Sequence, residues 1–273
     1  MRVKSWHGLL SFVVTILLIV SARLTTTALQ PQQIATQSPA PTSTILVAAA
    51  ASLQKAFQEV TAIYTKANPN QTVNYNFAAS GVLAQQIAQG APVDVFIAAA
   101  DKQINFLQSQ GLLVSGTQKT LLTNQLVLVA PKQSKVALTS FKQLTDPAIK
   151  RISIGEPRTV PAGQYATEVF KNLGILEQIK SKFVLGNNVR SVLTTVETGD
   201  VDAGIVYIID AKSSDKVKIA AIADEKFHSP IHYRIAVLKS SKSLDGARQY
   251  AEFLSSKAAR AVFKKYGFGI PKS

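Results

Sequence analysis

Four short stretches of the sequence place hydroxyl groups or open backbone amides at the start of a predicted helix. AAAAS ends in Ser52 and FAASG carries Ser80, each behind small residues that close a strand pattern. VPAGQY and NNVRS open two further helix patterns around Ala162 and Val189. The first N–H groups of a helix have no partner inside the helix, and with the helix dipole they form an anion site that needs no charged side chain. These stretches therefore predict a cradle of N–H and O–H donors.

Each stretch alone also fits an ordinary helix start. Serine is among the commonest N-cap residues, and alanine before it allows close packing of the helix on the sheet. Two serine caps in one unit, matched by two open helix starts in the other, favour a ligand site. Tyr207, which ends GIVY, is either a further O–H donor or a half-buried strand tyrosine. A pocket of donors suits a fully ionised oxyanion and disfavours an anion that still carries a proton.

Short apolar strands alternate with amphipathic helices along the chain, and this rhythm predicts an α/β fold. The predicted strands cover residues 44–49, 73–77, 93–98, 126–130, 152–154, 203–207 and 231–238. The predicted helices follow Ser52 and Ser80, begin at a cap on Asp101, cover 163–173 and 189–198, and include two between 245 and 265. Chain crossings near 123–126 and 228–232 divide these elements into two units. Ligands bind beyond the carboxyl ends of strands in open α/β sheets, so we expect the helix starts to face a cleft between the units.

The N-terminal residues are typical of an export signal. Arg2 and Lys4 precede an apolar run over 9–20, and small residues follow as far as Ala28, so residues 1–28 are interpreted as a cleavable signal peptide. A retained membrane anchor is the alternative, although twelve apolar residues are short for a span. Residues 29–43 are rich in Gln, Pro, Ser and Thr and are predicted to be a flexible leader.

Composition narrows the function classes. The chain has no cysteine, which excludes disulfides, thiol catalysis and lipid attachment through cysteine. The net charge is +14, and +11 without residues 1–28, which indicates a negative partner or simply solubility. The lysines are scattered, so a small anion fits better than nucleic acid. No G-x-S-x-G, P-loop or dinucleotide loop is present in the sequence. His228 and His232 have no acidic or histidine partner at metal-ligand spacing. We therefore expect that the protein is not an enzyme.

Seven stretches taken together resemble the molybdate-binding protein family of molybdate ABC importers. They are AAAASL at 48–53, FAASGVLAQQI at 77–87, GAPVDVFIAA at 90–99, GEPRTVPAGQYA at 155–166, NNVRSVLTTVE at 187–197, GIVY at 204–207 and KKYGFGIP at 264–271. The resemblance runs from about Thr44 to the C-terminus. It implies a two-domain periplasmic-binding-protein fold of type II, in which each domain is a mainly parallel sheet flanked by helices and the ligand lies in the interdomain cleft. Domain I then comprises 44–123 and 231–273, and domain II comprises 124–230.

The resemblance also implies a ligand set. It assigns molybdate contacts to the following side chains and backbone amides, which bind the oxygens of the anion and not its metal: Ser52, Ser80, Ala162, Val189 and Tyr207. Gly81 stands where the family often has a second serine, which puts a side-chain contact there in doubt but not a backbone approach. Asp94 is interpreted as a structural acceptor, and Arg190 is left out of the set because a helix-start arginine is more often solvated.

The implied function is capture of molybdate, or tungstate, in the periplasm and delivery to an inner-membrane ABC permease with its cytoplasmic ATPase. No cofactor, no nucleic acid and no catalytic residue are expected, and the protein is expected to be a monomer that closes by a hinge over its ligand. A binder of another tetrahedral oxyanion, such as sulfate, is the alternative. A cytoplasmic sensor domain of the same fold is disfavoured by the export signal.

Overall fold

The computed structural model describes residues 43–271. The predicted signal peptide and residues 29–42 of the predicted leader lie outside the described residues. Ser43, assigned to the leader, already belongs to the first strand. Within the described chain, no helix is both long enough and apolar enough to cross a membrane.

Residues 43–271 form strands and helices in near-regular alternation. The strands are β1 Ser43–Ala50, β2 Gln71–Ala78, β3 Val95–Ala98, β4 Lys119–Thr123, β5 Leu126–Pro131, β6 Ile152–Gly155, β7 Phe183–Gly186, β8 Ala203–Tyr207, β9 Val217–Ile222 and β10 His232–Val237. The helices are α1 Gln54–Ala67, α2 Ser80–Ala88, α3 Asp101–Ser109, α4 Pro161–Asn172, α5 Leu176–Ile179, α6 Val189–Glu197, α7 Ile208–Lys212, α8 Leu244–Phe253 and α9 Lys257–Lys265. Short 3-10 turns cover Ala51–Leu53, Phe141–Thr145, Lys180–Lys182 and Glu225–Phe227.

The strands form two five-stranded sheets. The first has the order β2-β1-β3-β10-β4, and the second has the order β7-β6-β8-β5-β9. In the first sheet, β1 pairs in parallel with β2 and β3, whereas β10 pairs antiparallel with β3 and β4. The second sheet repeats this arrangement, with β5 reversed between β8 and β9. Four strands of each sheet therefore run in one direction, and the predicted two-domain α/β fold is confirmed with mixed sheets.

Three strands were absent from the sequence prediction. They are β4, β7 and β9, and each lies at the edge of its sheet. Edge strands have a neighbour on one side only, and much of their surface stays open, so they lack the continuous apolar run of the central strands. The exposed Leu185 in β7 and the exposed Ile219 and Ile222 in β9 illustrate this.

Helices cover the first sheet on both faces. Along β1, Val47 and Ala49 pack into the cluster that contains residues of α1, α8 and α9, whereas Ala48 packs into a second cluster with residues of α2 and α3. A strand buried on both faces has no solvent side, which explains the run of apolar residues that ends at Ser52. We call the first sheet and its helices the first lobe, and the second sheet with α4 to α7 the second lobe.

The chain passes between the lobes twice. It leaves the first lobe between β4 and β5 and returns before β10, and the N–H of Asn124 donates to the carbonyl of Ile231 across the two crossings, at 3.3 Å. The predicted limits at 123/124 and 230/231 stay a prediction as domain boundaries, although the strands of each sheet fall within them.

The prediction that Asp101 caps α3 is wrong. Asp101 is the first residue of the helix, the cap position is Ala100, and no side chain caps it. The Asp101 carboxylate instead accepts from Arg234, at 2.7 Å, and lies 3.0 Å from the Nδ1 of His232. Its partners come from a strand about 130 residues further along the chain, which local sequence cannot show.

Candidate functional site

A small cavity lies between the two lobes, where strands end and the following helices begin. All five site residues predicted from the sequence line it, together with other alanines, a valine, a proline and an asparagine. The lining residues are Ala50, Ala51, Ser52, Ala78, Ala79, Ser80, Ala99, Val160, Pro161, Ala162, Asn188, Val189 and Tyr207. None of them carries a charged side chain.

The cavity has the size of one small ion. The centre of a water-sized sphere has about 10 Å³ in which to move. A spherical space of that volume, enlarged by the water radius of about 1.4 Å, has a radius of about 2.7 Å. That space is far too small for a sugar or an amino acid, so any ligand there must be a small ion.

Both serines are buried, and neither caps its helix. Ser52 lies inside the 3-10 turn before α1, and Ser80 is the first residue of α2; no side chain caps either element. The interpretation of these residues as N-caps is therefore wrong. The Ser80 Oγ accepts from the N–H of Ala99, at 3.1 Å, and the Ser52 Oγ lies 2.8 Å from the phenol oxygen of Tyr233. Since neither hydroxyl bonds the start of its own helix, both remain available at the cavity wall.

Helices α4 and α6 present their first N–H groups from the second lobe. Pro161 occupies the first turn of α4, where its lack of an N–H costs nothing, and Ala162 follows it. Asn188 caps α6 by accepting from the N–H of Ser191, which leaves the N–H of Val189 outside the cap. Among the described residues, no backbone carbonyl accepts from the N–H of Ala162 or Val189. Both amides are therefore free to donate at the wall of the cavity.

Tyr207 is fully buried and not half-buried, and its role as an O–H donor to a ligand stays a prediction. Only 1% of its surface is exposed, and its hydroxyl has no hydrogen-bond partner among the described residues. Burial raises the pKa of the phenol well above its usual value, so the hydroxyl keeps its proton. A buried hydroxyl without a partner is costly, and a ligand oxygen in the cavity would satisfy it.

Gly81 serves the contact between the lobes. Its N–H donates to the Thr159 carbonyl of the second lobe, at 2.9 Å, and it is not among the residues that line the cavity. The expected backbone approach of Gly81 to the ligand stays a prediction, and its N–H is already used in this contact. A Cβ on Gly81 would lie 2.6 Å from the Thr159 oxygen, which explains why this position lacks a side chain.

A charged cluster lies beside the cavity but not in it. Arg190 donates to the Ser213 hydroxyl, at 3.1 Å, and lies 3.6 Å from the carboxylate of Asp210, so it is partly buried and paired, not solvated. Asp210 has no exposed surface. Burial raises the pKa of its carboxyl to about 7, although the nearby positive charge of Arg190 acts to lower that pKa. Lys55 of the first lobe donates to the Ser213 carbonyl, at 2.9 Å, and so links the two lobes.

The remaining polar residues discussed from the sequence are structural. Asp94 accepts from the N–H of Leu46, at 2.7 Å, and from the Ser241 hydroxyl, at 2.6 Å, which confirms it as a structural acceptor. His232 pairs with Asp101, an acidic partner that the sequence spacing did not indicate. Within residues 43–271 no three His, Cys, Asp or Glu side chains gather as a metal site.

Two sheet-and-helix lobes with an ion-sized, donor-lined cavity between them define the class of solute-binding proteins. A family model for bacterial extracellular solute-binding proteins matches residues 45–269, and the chain belongs to this family. The family description places its members outside the cytoplasm.

Individual relatives agree with this assignment. A putative ABC transporter substrate-binding lipoprotein of Bacillus subtilis is 40% identical over 82% of this chain and 86% of its own length. A molybdate-binding protein of Haemophilus influenzae is 38% identical over 82% of this chain and 89% of its own. The solved substrate-binding domain of a putative molybdenum ABC transporter from Clostridium difficile is 41% identical, with a TM-score of 0.66, over 84% of this chain and all of that one. The resemblance drawn from the sequence motifs is confirmed.

Proposed function

We propose that this protein captures molybdate, and also tungstate, and delivers it to an ABC importer. The observation that carries the proposal is the small, uncharged cavity into which both lobes bring N–H and O–H groups. The proposed ligand contacts are Ser52, Ser80, Ala162, Val189 and Tyr207, and they reach the oxygens of the anion.

Neutral donors can hold a dianion without a counter-charge. Each hydrogen bond to a charged oxygen is shorter and roughly twice as strong as a neutral one, and several together replace the water that the ion loses. Helix starts from both lobes add their partial positive charge. Since Ser80 already accepts from Ala99, its own proton is free to be donated to the anion.

Molybdate is favoured over sulfate by the relatives and not by the fold. The Haemophilus influenzae relative is named a molybdate-binding protein, and it is 38% identical. Sulfate has the same shape and charge and is smaller, so a rigid cavity discriminates between the two ions by fit. Sulfate therefore belongs in the test as the competing ligand.

The proposal includes a location and partners. The family description and the basic, apolar N-terminus predicted to be a signal peptide support a periplasmic protein. The names of the Bacillus subtilis and Clostridium difficile relatives include an ABC transporter, which supports a membrane permease and its ATPase as partners.

Closure of the lobes is the proposed mechanism of retention. Gly81 with Thr159, and Lys55 with Ser213, are contacts that exist only while the lobes are together. Hinge closure around a ligand is usual for periplasmic binding proteins. The anion would bind the donors of one lobe first, and the second lobe would complete the set of donors and form these contacts.

Titration calorimetry tests the proposal. The purified protein is titrated with sodium molybdate, tungstate, sulfate and phosphate, and the thermal midpoint is measured with each salt. Molybdate and tungstate should bind with a stoichiometry of one and raise the midpoint, because a ligand held only by the native state stabilises it. Sulfate binding as tight as molybdate binding would overturn the choice of ligand, and no binding of any anion would overturn the function.

A further inference from the structure

Ser52 shares its hydroxyl with a buried tyrosine that does not line the cavity. The Ser52 Oγ lies 2.8 Å from the Tyr233 phenol oxygen, and the distance alone allows either group to be the donor. Tyr233 is in β10, has no exposed surface, and lies where the register between β10 and β4 shifts. Irregularities of this kind in a sheet redirect side chains and occur next to functional sites.

Asn124 fixes the orientation of the Tyr233 hydroxyl. The Asn124 Oδ1 accepts from the N–H of Gln125, at 2.9 Å, and its Nδ2 lies 3.1 Å from the Tyr233 phenol oxygen. A backbone N–H can only donate, so the amide atom facing Gln125 must be the oxygen. The amide nitrogen therefore faces Tyr233, where it can only donate.

The proton of Tyr233 then has one acceptor. Its phenol oxygen accepts from Asn124, and the Ser52 Oγ is its other hydrogen-bond partner among the described residues. If Ser52 donated to Tyr233 instead, the phenol proton would be buried without an acceptor, which disfavours that arrangement by about tenfold or more. Tyr233 thus donates to Ser52, and the proton of Ser52 is left for the cavity.

We propose that Asn124 and Tyr233 are positioning residues that make Ser52 a hydrogen-bond donor toward the bound oxyanion. The inference rests on the proposed function and extends it to specificity. With Ser52 oriented by Tyr233, and Ser80 oriented by the N–H of Ala99, both hydroxyls present protons to the ligand. An anion that carries its own proton, such as hydrogen phosphate, then meets donors where it needs an acceptor.

The positions of both residues fit this role. Asn124 lies in a crossing between the lobes, and its N–H donates to the Ile231 carbonyl in the other crossing, at 3.3 Å, so its backbone is held where the chain passes between the lobes. The Tyr233 ring packs against Tyr207, with ring centroids 5.8 Å apart. Tyr233 therefore touches one proposed ligand residue from each lobe.

A double-mutant cycle tests the inference. Molybdate and phosphate are titrated into wild type, Tyr233→Phe, Ser52→Ala and the double variant. Tyr233→Phe should weaken molybdate binding about tenfold and reduce the preference for molybdate over phosphate. In the Ser52→Ala background the same change should have no further effect, because its target is gone. Tyr250→Phe is the matched control: it is equally buried in the same lobe, and its hydroxyl bonds Tyr75, away from the cavity.

A second pair of variants avoids the buried ring. Asn124→Asp replaces the amide donor by a carboxylate that can only accept, so Tyr233 should donate to it and Ser52 should donate to Tyr233. Gln125→Glu adds the same charge at the neighbouring exposed residue, whose side chain makes no hydrogen bond to Tyr233 among the described residues. Asn124→Asp should weaken molybdate binding by about tenfold more than Gln125→Glu, and only while Ser52 is present.

The outcomes separate this inference from the proposed function. If wild type binds molybdate but Tyr233→Phe and Asn124→Asp match their controls, or if their effects persist in full without Ser52, the positioning role is overturned and the proposed function stands. If wild type binds another anion of the set, the cycle is measured with that anion by the same criteria. If wild type binds none, both the function and the positioning role fail.

Discussion

Replacing Gly81 by alanine should weaken ligand binding without weakening the fold. The added Cβ would lie 2.6 Å from the Thr159 oxygen and 2.8 Å from its Cα, whereas ordinary contacts begin at 3.4 Å. Both obstacles are backbone atoms of the other lobe, so no side-chain movement relieves them. The lobes would have to separate by about 0.8 Å at this point, the difference between the 2.6 and 3.4 Å distances.

That separation is enough to break hydrogen bonds. The bond from Gly81 to Thr159, now 2.9 Å, would lengthen to about 3.7 Å and be lost. Ser80 is the next residue, so its bond to a ligand held by the second lobe would lengthen similarly. One neutral bond at about 0.5–1.5 kcal/mol and one charged bond at about 1.5–3 kcal/mol sum to roughly 2–4.5 kcal/mol, a loss of about 30-fold to 2000-fold in affinity.

The same substitution should not lower the thermal stability of the unliganded protein. Alanine is a better helix residue than glycine by up to about 0.5–1 kcal/mol, and Gly81 lies in the first turn of α2. We therefore expect an equal or higher thermal midpoint without ligand, together with a raised Kd for molybdate by calorimetry. Gln85→Ala, at an exposed position of the same helix, is the control for helix propensity and should leave the Kd unchanged.

Adding Thr159→Ala to the Gly81→Ala variant should not restore molybdate binding, because the obstructing atoms of Thr159 are in its backbone. Wild-type affinity in Gly81→Ala would refute the reasoning, since the lobes would then close without this contact. Rescue by Thr159→Ala would refute the assignment of the clash to the backbone.

Three further expectations follow from the site and its surroundings. Ser80→Ala should weaken molybdate binding by about 1.5–3 kcal/mol by calorimetry, and should lower the unfolding free energy by about 1–3 kcal/mol because the N–H of Ala99 loses its acceptor; unchanged binding would remove Ser80 from the ligand set. The buried Asp210 has a folded pKa of about 7 against an ordinary value of 3.8, so the folded state holds a proton that the unfolded state lacks between these values. The unfolding free energy should therefore fall by up to roughly 1.4 kcal/mol per pH unit as the pH rises through that window, then level above it. Denaturant titrations of wild type and Asp210→Asn should show the slope only in wild type, and equal slopes would contradict the role of this carboxyl. The net charge of +11 outside residues 1–28 should speed anion capture, so the association rate constant measured by stopped flow should fall as salt rises from about 0.01 to 1 M. The dissociation rate should change little because the cavity wall is uncharged, and a salt-independent association rate would rule out steering.

The convergence of the candidate site was predictable because it follows from the architecture. Ser52, Ser80, Ala162 and Val189 each follow a strand end, and strands of one direction in a sheet deliver their carboxyl ends to one edge. The motifs therefore predicted which residues share a cavity without any measured distance. Their role as molybdate ligands stays a prediction.

What the sequence could not show depends on partners far along the chain. Asp101 matches a typical cap pattern in the sequence, but its carboxylate accepts a hydrogen bond from Arg234, which lies on a strand far along the chain. Ser80 also matched a cap, but its hydroxyl accepts from Ala99. Gly81 lies in a motif at the predicted site, and only the position of Thr159 shows that its N–H donates to the other lobe. Tyr233 gave no signal beyond an ordinary strand alternation, because its proposed role depends on Asn124 more than 100 residues earlier.

The interior position of β10 has a consequence for how the chain is assembled. The second sheet draws all its strands from residues 126–222, so it can pair as soon as that stretch has been synthesised. The first sheet cannot be completed then, because β10 separates β3 from β4 and is made last of all the strands. Until residues 232–237 arrive, β4 has no neighbour in its sheet, and α8 and α9 do not yet exist to cover that sheet. The lobe that begins first is therefore finished last, and a chain that ends before β10 retains the strands of only one complete sheet.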